Sequence, residues 1–310
     1  MAEWSFWMLE YARVEDHPTR KSLYGVGFDE RGYMPYCYVL MEGEGHRVLI
    51  DTGFDPSAEF VSRFLPESVV NGAASASSVL AKVGLTPEDI DTILITHAHF
   101  DHMGNLQAFP NAQVWIQERE VQQWEYALSL PERFGTLSQA TDPADLSYLK
   151  QLQKEGRLNL VDGRVEDVLP GVDLVPAFDS HTDGSQYITI HTGGETWVMP
   201  GDNVYSYRNV ETGSSNPFYR GIGVGNGSLW RSLFVIDEMM QCAGESSRLM
   251  IPHEGQLFER FPSIRGEDNL AVAEMRLAPD TRSRLDTAQF RSGDGSVGAA
   301  GLGSADVRNK

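Results

Sequence analysis

The chain reads as an α/β protein, and three observations point there. Short runs of β-branched and aromatic residues recur along its 310 residues, helical periodicity falls between several of them, and residues capable of chemistry cluster where the runs end. Trp4 to Tyr11 alternates bulky apolar with polar residues, the pattern of a half-buried strand. The segment from Val14 to Gly32 is polar and glycine-bearing and reads as an extended loop. Tyr36 to Met41 and Arg47 to Ile50 are rich in β-formers, and Glu42-Gly43-Glu44-Gly45 between them signals a hairpin. The second of these strands runs straight into Asp51-Thr52-Gly53, a turn.

Helical spacing over Ala74 to Val83 stops at Gly84. Thr86-Pro87-Glu88-Asp89 has the form of an N-cap with proline at the first helical position, opening a short turn. Ile93-Leu94-Ile95 is an apolar run of the buried-strand type. Gln113 to Ile116 reads as a strand, Glu118 to Leu128 as a helix, Pro131 to Asp145 as a loop and Leu146 to Glu155 as a helix. Strands are expected at Asp173 to Pro176, Tyr187 to Thr192 and Thr196 to Met199. A helix from Ser228 to Cys242 is closed by Gly244, and Arg248 to Ile251 reads as a last short buried strand. The expected organisation is one domain over 1–278. A polar, glycine-rich tail follows over 279–310, and its end, from Ser292, is expected to be disordered.

The hydrophobic share of 41% and charged share of 22% are ordinary for a globular protein, but the formal net charge of -19 is not. Such a surface repels phosphate backbones. The densest basic cluster, Arg282, Arg284 and Arg291, is diluted by Asp280 and Asp286, so no nucleic-acid partner is expected. No stretch approaches the roughly 18 uncharged apolar residues of a membrane span. The first residues lack the basic region and apolar core of a secretion signal. Cys37 and Cys242 are too few for a disulfide framework and read as small packing residues. The expectation is a cytoplasmic protein acting on a small molecule.

Residues 96–104 read Thr-His-Ala-His-Phe-Asp-His-Met-Gly. With only 8 histidines in 310 residues, three of them and an aspartate in this pattern would arise by chance on the order of once per million positions. In an extended loop His97 and His99 point the same way and can reach one metal, while Asp101 and His102 lie past the turn and can face a second. Imidazole and carboxylate are ligands that borderline divalent cations such as zinc prefer. His181, in His-Thr-Asp-Gly, Asp202, in Pro-Gly-Asp-Asn, and His253, in Pro-His-Glu-Gly, each follow a predicted strand. Any one alone would be a weak signal, since a solvated loop histidine is the commoner case. His17, His46 and His191 fall outside this order and read as ordinary.

The Asp-Thr-Gly at 51, the His-x-His-x-Asp-His at 97–102, and then His181, Asp202 and His253 in that order resemble the metallo-β-lactamase superfamily. The resemblance spans roughly residues 35 to 255. It implies an αββα sandwich, two mixed β-sheets packed face to face between outer helices, with a metal site along one sheet edge. It also implies that His97, His99 and His181 bind one metal, that Asp101, His102 and His253 bind the other, and that Asp202 bridges them. Asp51 would hydrogen-bond ligands rather than bind metal. Two divalent cations are thereby implied, zinc first, with iron, manganese or cobalt equally suited by the donor set. A homodimer is implied as well, with Trp4 and Trp7 as exposed aromatics available to it.

Fold does not settle the substrate. Tyr205 stands three residues after Asp202, and this Asp-x-x-Tyr spacing is similar to the N-acyl homoserine lactonases, in which a tyrosine there meets the substrate carbonyl. The expected chemistry is lactone opening by a metal-bridging hydroxide, a quorum-quenching activity. Tyr205 would polarise the carbonyl and Asp101 would carry a proton to the leaving alkoxide. A structural role for Tyr205 is the plainer alternative. The segments 14–32, 125–155 and 221–227 depart from a minimal lactonase. They leave open a thioesterase of glyoxalase II type or a hydrolase of cyclic amides or other rings. A binding protein without catalysis would be expected to have lost ligands. Phe218, Tyr219 and Trp230 are candidates to line an apolar pocket. Trp230 reads equally well as part of a helical apolar face, with Leu229, Leu233, Phe234 and Met240, packed on a sheet.

Overall fold

The computed structural model describes residues 1–66, 69–213 and 216–285. Thirteen strands are present among these residues: β1 (Trp4–Pro18), β2 (Arg31–Gly43), β3 (His46–Ile50), β4 (Gly72–Ala73), β5 (Thr92–Leu94), β6 (Gln113–Gln117), β7 (Leu158–Val161), β8 (Val165–Leu169), β9 (Val172–Pro176), β10 (Gln186–Thr192), β11 (Glu195–Met199), β12 (Ser263–Arg265) and β13 (Ala271–Arg276). The helices are α1 (Glu59–Phe64), α2 (Ala76–Ala81), α3 (Phe100–Met103), α4 (Glu118–Ser129), α5 (Pro143–Lys154), α6 (Tyr207–Val210), α7 (Leu229–Ala243) and α8 (Leu257–Arg260). None of the described helices is long and apolar enough to cross a membrane.

The larger sheet runs β12-β13-β1-β2-β3-β5-β6-β7, with β4 added on β1. It is mixed: β1, β2 and β3 are antiparallel neighbours, and β3, β5, β6 and β7 pair in parallel. The smaller sheet, β11-β10-β9-β8, is antiparallel along its four strands and adds one parallel bridge, Val198 to Leu249. Strand period explains how the layers stack, because alternate side chains leave opposite faces. Trp4, Phe6 and Met8 of β1 enter the core between the sheets with Val39 and Met41 of β2 and Leu174, Ile188 and Met199 of the smaller sheet. Trp7, Leu9 and Tyr11 point the other way, into a core closed by α2, α4 and α5. The outer face of the smaller sheet is covered by Val235, Ile236 and Met239 of α7. This is the αββα arrangement that the sequence resemblance implies.

Several elements differ from their sequence reading. The first strand is buried on both faces, and Trp4 and Trp7 are fully buried, so they are not available to a dimer interface. The segment read as a loop from 14 to 32 is a loop over 19–30, but its ends, 14–18 and 31–32, are the arms of a long hairpin. His17 pairs with Gly32 and Pro18 with Arg31, and such pairing uses backbone groups whatever the side chains. Arg248 to Ile251 makes the single bridge instead of a strand, because a 3-10 turn over Ser246–Arg248 delivers it and Pro252 ends it. The short strands β7 and β8 and the final β12–β13 hairpin are elements that the sequence reading does not contain. The buried face of α7 carries Val235, Ile236, Met239 and Ala243, while Leu229, Trp230 and Phe234 are exposed. The chain beyond Pro279 begins in contact with the domain: Arg284 holds Glu42 and lies over the Trp7 ring. Residues 286–310, including the tail end from Ser292, lie outside the described residues.

Candidate metal centre

One end of the sandwich gathers the loops that leave β3, β5, β9, β11 and the Leu249–Ile251 segment. Rigid strands thus place loop residues, a common way to hold chemistry. After β5 the chain stays extended through His97 and His99, then turns into α3, which carries Asp101 and His102. Gly201, after β11, adopts a positive φ of 55°, and a Cβ there would lie 2.8 Å from Thr96, so glycine lets this loop press onto the histidine loop. Asp202 follows at once.

All seven sequence-predicted residues converge, in two groups. In each group the candidate donor atoms lie within 4.8 Å of one another: His97, His99, His181 and Asp202 in the first, and Asp101, His102, Asp202 and His253 in the second. In the first, His99 Nδ1 is 3.0 Å from both His97 Nε2 and His181 Nε2. Asp202 Oδ2 lies 3.5 Å from His181 Nε2 and 3.9 Å from His97 Nε2. In the second, Asp202 Oδ1 lies 3.0 Å from His102 Nε2 and 3.1 Å from His253 Nε2, and Asp101 Oδ2 is 3.7 Å from both. Asp202 therefore offers one oxygen to each group.

Three of the five histidines have their outward-facing nitrogen engaged by the protein. His97 Nδ1 meets Thr96 Oγ1 at 3.0 Å, His102 Nδ1 meets Asp51 Oδ2 at 2.7 Å, and His253 Nδ1 meets the Pro35 carbonyl at 2.8 Å. Such contacts fix tautomer and ring orientation. Asp51, at a φ of 66°, also accepts from the Thr96 N–H and hydroxyl.

The donor chemistry fits cations. Burial, together with the neighbouring imidazoles, holds His97 and His99 well below the usual histidine range, and burial takes His181 down to about 4, so all three are neutral donors at pH 7. Burial also opposes charge on His102 and His253, but Asp202 and Asp101 outweigh it and raise both. The second group thus favours positive charge at its centre. Asp202 Oδ1 is buried and takes no properly directed hydrogen bond despite the two close imidazoles, the situation of an atom suited to a metal.

Tyr205 is buried, and its hydroxyl donates to Asp202 Oδ2 at 2.5 Å while its ring stacks on His253 at 5.3 Å. A cavity of about 70 Å³ adjoins it, lined by His17, Ser22 and Met34 from the β1–β2 hairpin and by Tyr205, Ser206, Arg208, His253 and Glu254. Phe218, Tyr219 and Trp230 do not border it. Phe218 and Trp230 point outward, 73% and 76% exposed, and the Tyr219 hydroxyl faces Asp237 at 3.4 Å. A larger hollow, about 620 Å³, lies by His191 and Glu195 and contains none of the seven residues.

Sequence reading missed three residues here. Glu120 accepts hydrogen bonds from both histidine loops. The Tyr11 hydroxyl donates to the Asp101 carbonyl at 2.6 Å, and Glu254 accepts from Ser206 and the Tyr207 N–H. Each partner is remote in sequence, so no local spacing announces them.

Comparison with known proteins bears on the family and the fold. A family model described as the metallo-beta-lactamase superfamily matches residues 31–241. An N-acyl homoserine lactonase of Bacillus cereus is 30% identical over 165 residues, covering 51% of this chain and 58% of that protein. A probable metallo-hydrolase of Mycobacterium tuberculosis is 32% identical over 194 residues, covering 57% and 59% respectively. The matches thus span less than two thirds of these relatives' lengths. Among solved structures, an N-acyl homoserine lactone hydrolase with N-hexanoyl-L-homoserine at its catalytic metal centre superposes with a TM-score of 0.61 at 21% identity, covering 84% of this chain and 98% of that one. A dizinc quorum-quenching lactonase superposes with a TM-score of 0.59 at 20% identity, covering 82% and 88%. At these identities the structural likeness speaks for the fold.

Proposed function

Because the chain belongs to the metallo-β-lactamase superfamily, we propose that it is a two-metal hydrolase that opens lactone rings, in the manner of an N-acyl homoserine lactonase. His97, His99 and His181 would hold one cation, Asp101, His102 and His253 the other, and Asp202 both. Bound cations would supply a nucleophile from water near neutral pH and polarise the ester carbonyl. Zinc is the first expectation, and the same donors suit iron, manganese and cobalt.

The observation that carries the lactone reading is the position of the Tyr205 phenol against Asp202, in a wall of the cavity beside the second group. Burial and the Asp202 carboxylate hold this phenol well above its usual range, so it stays protonated; its one O–H, released by Asp202 when cations engage that carboxylate, would donate to a carbonyl oxygen that gains charge. Asp101, which borders the second group, would carry a proton to the departing alkoxide. The lactonase relatives support the substrate class. Asp51 orients His102 and Thr96.

The test is a panel of N-acyl homoserine lactones, simple lactones, thioesters and cyclic imides offered to protein purified without chelator. Preferential opening of the lactones is expected. Turnover of thioesters or imides with lactones untouched overturns the substrate class and keeps the hydrolase. The same reading carries quorum quenching, a cytoplasmic location and a homodimer as expectations, which signal-degradation assays, fractionation and sedimentation check.

A further inference from the structure

Glu120, the third residue of α4, has nothing in its sequence neighbourhood to single it out. Its side chain is completely buried, and its carboxylate takes four hydrogen bonds. Oε1 accepts from the Ala98 N–H at 2.8 Å and from the Trp124 indole N–H at 2.8 Å. Oε2 accepts from the Thr182 hydroxyl at 2.7 Å and from the Gly184 N–H at 2.9 Å. Ala98 lies between His97 and His99, and Thr182 follows His181. One carboxylate therefore ties together the two loops that carry the three histidines of the first group. Trp124, a turn further along α4, adds its ring against His99 at 5.4 Å.

The neighbouring cation is engaged elsewhere, since Arg119 pairs with Asp179 and Asp183. A buried carboxylate with no cation is costly unless its lone pairs are used. Here both oxygens are used, and the bonds gain strength from the acceptor's charge. The second group hangs on different supports. His102 is held by Asp51, the Asp101 carbonyl by Tyr11, and His253 by the Pro35 carbonyl. Asp51 reaches the first group only through Thr96, which contacts His97.

We propose that Glu120 is a positioning residue for the first cation alone, setting the separation of His97, His99 and His181 without touching the metal. This rests on the two-metal reading but not on the lactone reading. Glu120→Gln probes it with little change of shape. An amide offers one acceptor oxygen, so its NH2 group must face either the Ala98 and Trp124 donors or the Thr182 and Gly184 donors. The Thr182 hydroxyl can turn to accept, but the Gly184 N–H then loses its partner. Thr182→Val removes one of the four bonds and serves as the milder variant.

The experiment is a titration of the metal-depleted full-length chain with zinc against a chromophoric competitor, read as the affinity of each site, with the melting point of the metal-free protein measured alongside. In Glu120→Gln one site is expected to weaken by about 10- to 100-fold, the range for losing a group that orients ligands, while the other stays within about twofold. Thr182→Val should show the same selectivity to a smaller extent. Adding Glu120→Gln to His99→Ala, where the first group is already broken, should change the remaining site by less than about twofold. Equal weakening of both sites, or unchanged affinity of both in either single variant, overturns the proposal. Failure of the wild-type chain to bind zinc overturns the two-metal reading and this proposal with it. Activity on lactones plays no part in the readout.

Discussion

The Tyr205 phenol is buried, bonds Asp202 Oδ2 at 2.5 Å and offers a single O–H that one substitution removes. Tyr205→Phe is expected to lower kcat on lactones by about 10- to 1000-fold with KM little changed, the range for removing one group that stabilises a developing oxyanion. An unchanged kcat would assign the residue to packing against His253. A second residue, Asp145, which is not among the seven donors, sets a pH dependence of stability. Burial, with Asp142 adding to it, lifts the Asp145 carboxyl at the start of α5 to about 7. The folded chain therefore keeps a proton that the unfolded chain releases above roughly pH 4. The contribution to stability is full below that pH and is lost as pH rises through about 7. Asp145→Asn should then stabilise the protein by roughly 1–3 kcal/mol at pH 8, after allowance for solvent screening, and by little at pH 4. Equal melting points for variant and wild type at pH 8 would contradict this.

At the scale of elements, α7 shows where helical periodicity stops being informative. Its sequence carries two apolar stripes, and only the stripe with Val235, Ile236 and Met239 meets the smaller sheet. Trp230 and Phe234 contact each other on the outside, with ring centroids 5.5 Å apart. Ile236→Ala should cost about 2–4 kcal/mol, as for other large-to-small core changes, and Trp230→Ala less than about 0.5 kcal/mol. Chemical denaturation measures both. The reverse order would mean that the Trp230 face packs in the folded protein. A rise in KM for lactones in Trp230→Ala, with stability unchanged, would place that ring on the path of the substrate.

Across the whole molecule, legibility followed sequence distance. His97 to His102 form one local pattern, and His181, Asp202 and His253 could be found because each follows an apolar run. Strands with clear alternation or apolar runs, such as β3, β5 and β10, were readable for the same reason. The polar arms around His17 and Gly32 were not, because backbone pairing leaves no mark on side-chain hydropathy. Glu120 was hidden differently. It sits among charged neighbours at the start of α4, and three of its four partners lie 22, 62 and 64 residues away. The two sheets create the site jointly: the larger supplies the His97–His102 loop and the smaller supplies His181 and Asp202. The central claim, that two cations held between these loops carry the hydrolysis, is tested most directly by adding zinc stepwise to metal-depleted protein while following ring opening of a lactone through proton release. Activity should be absent at first and level off near two zinc ions per chain; full activity in the metal-depleted protein, or none at any zinc level, would contradict the account.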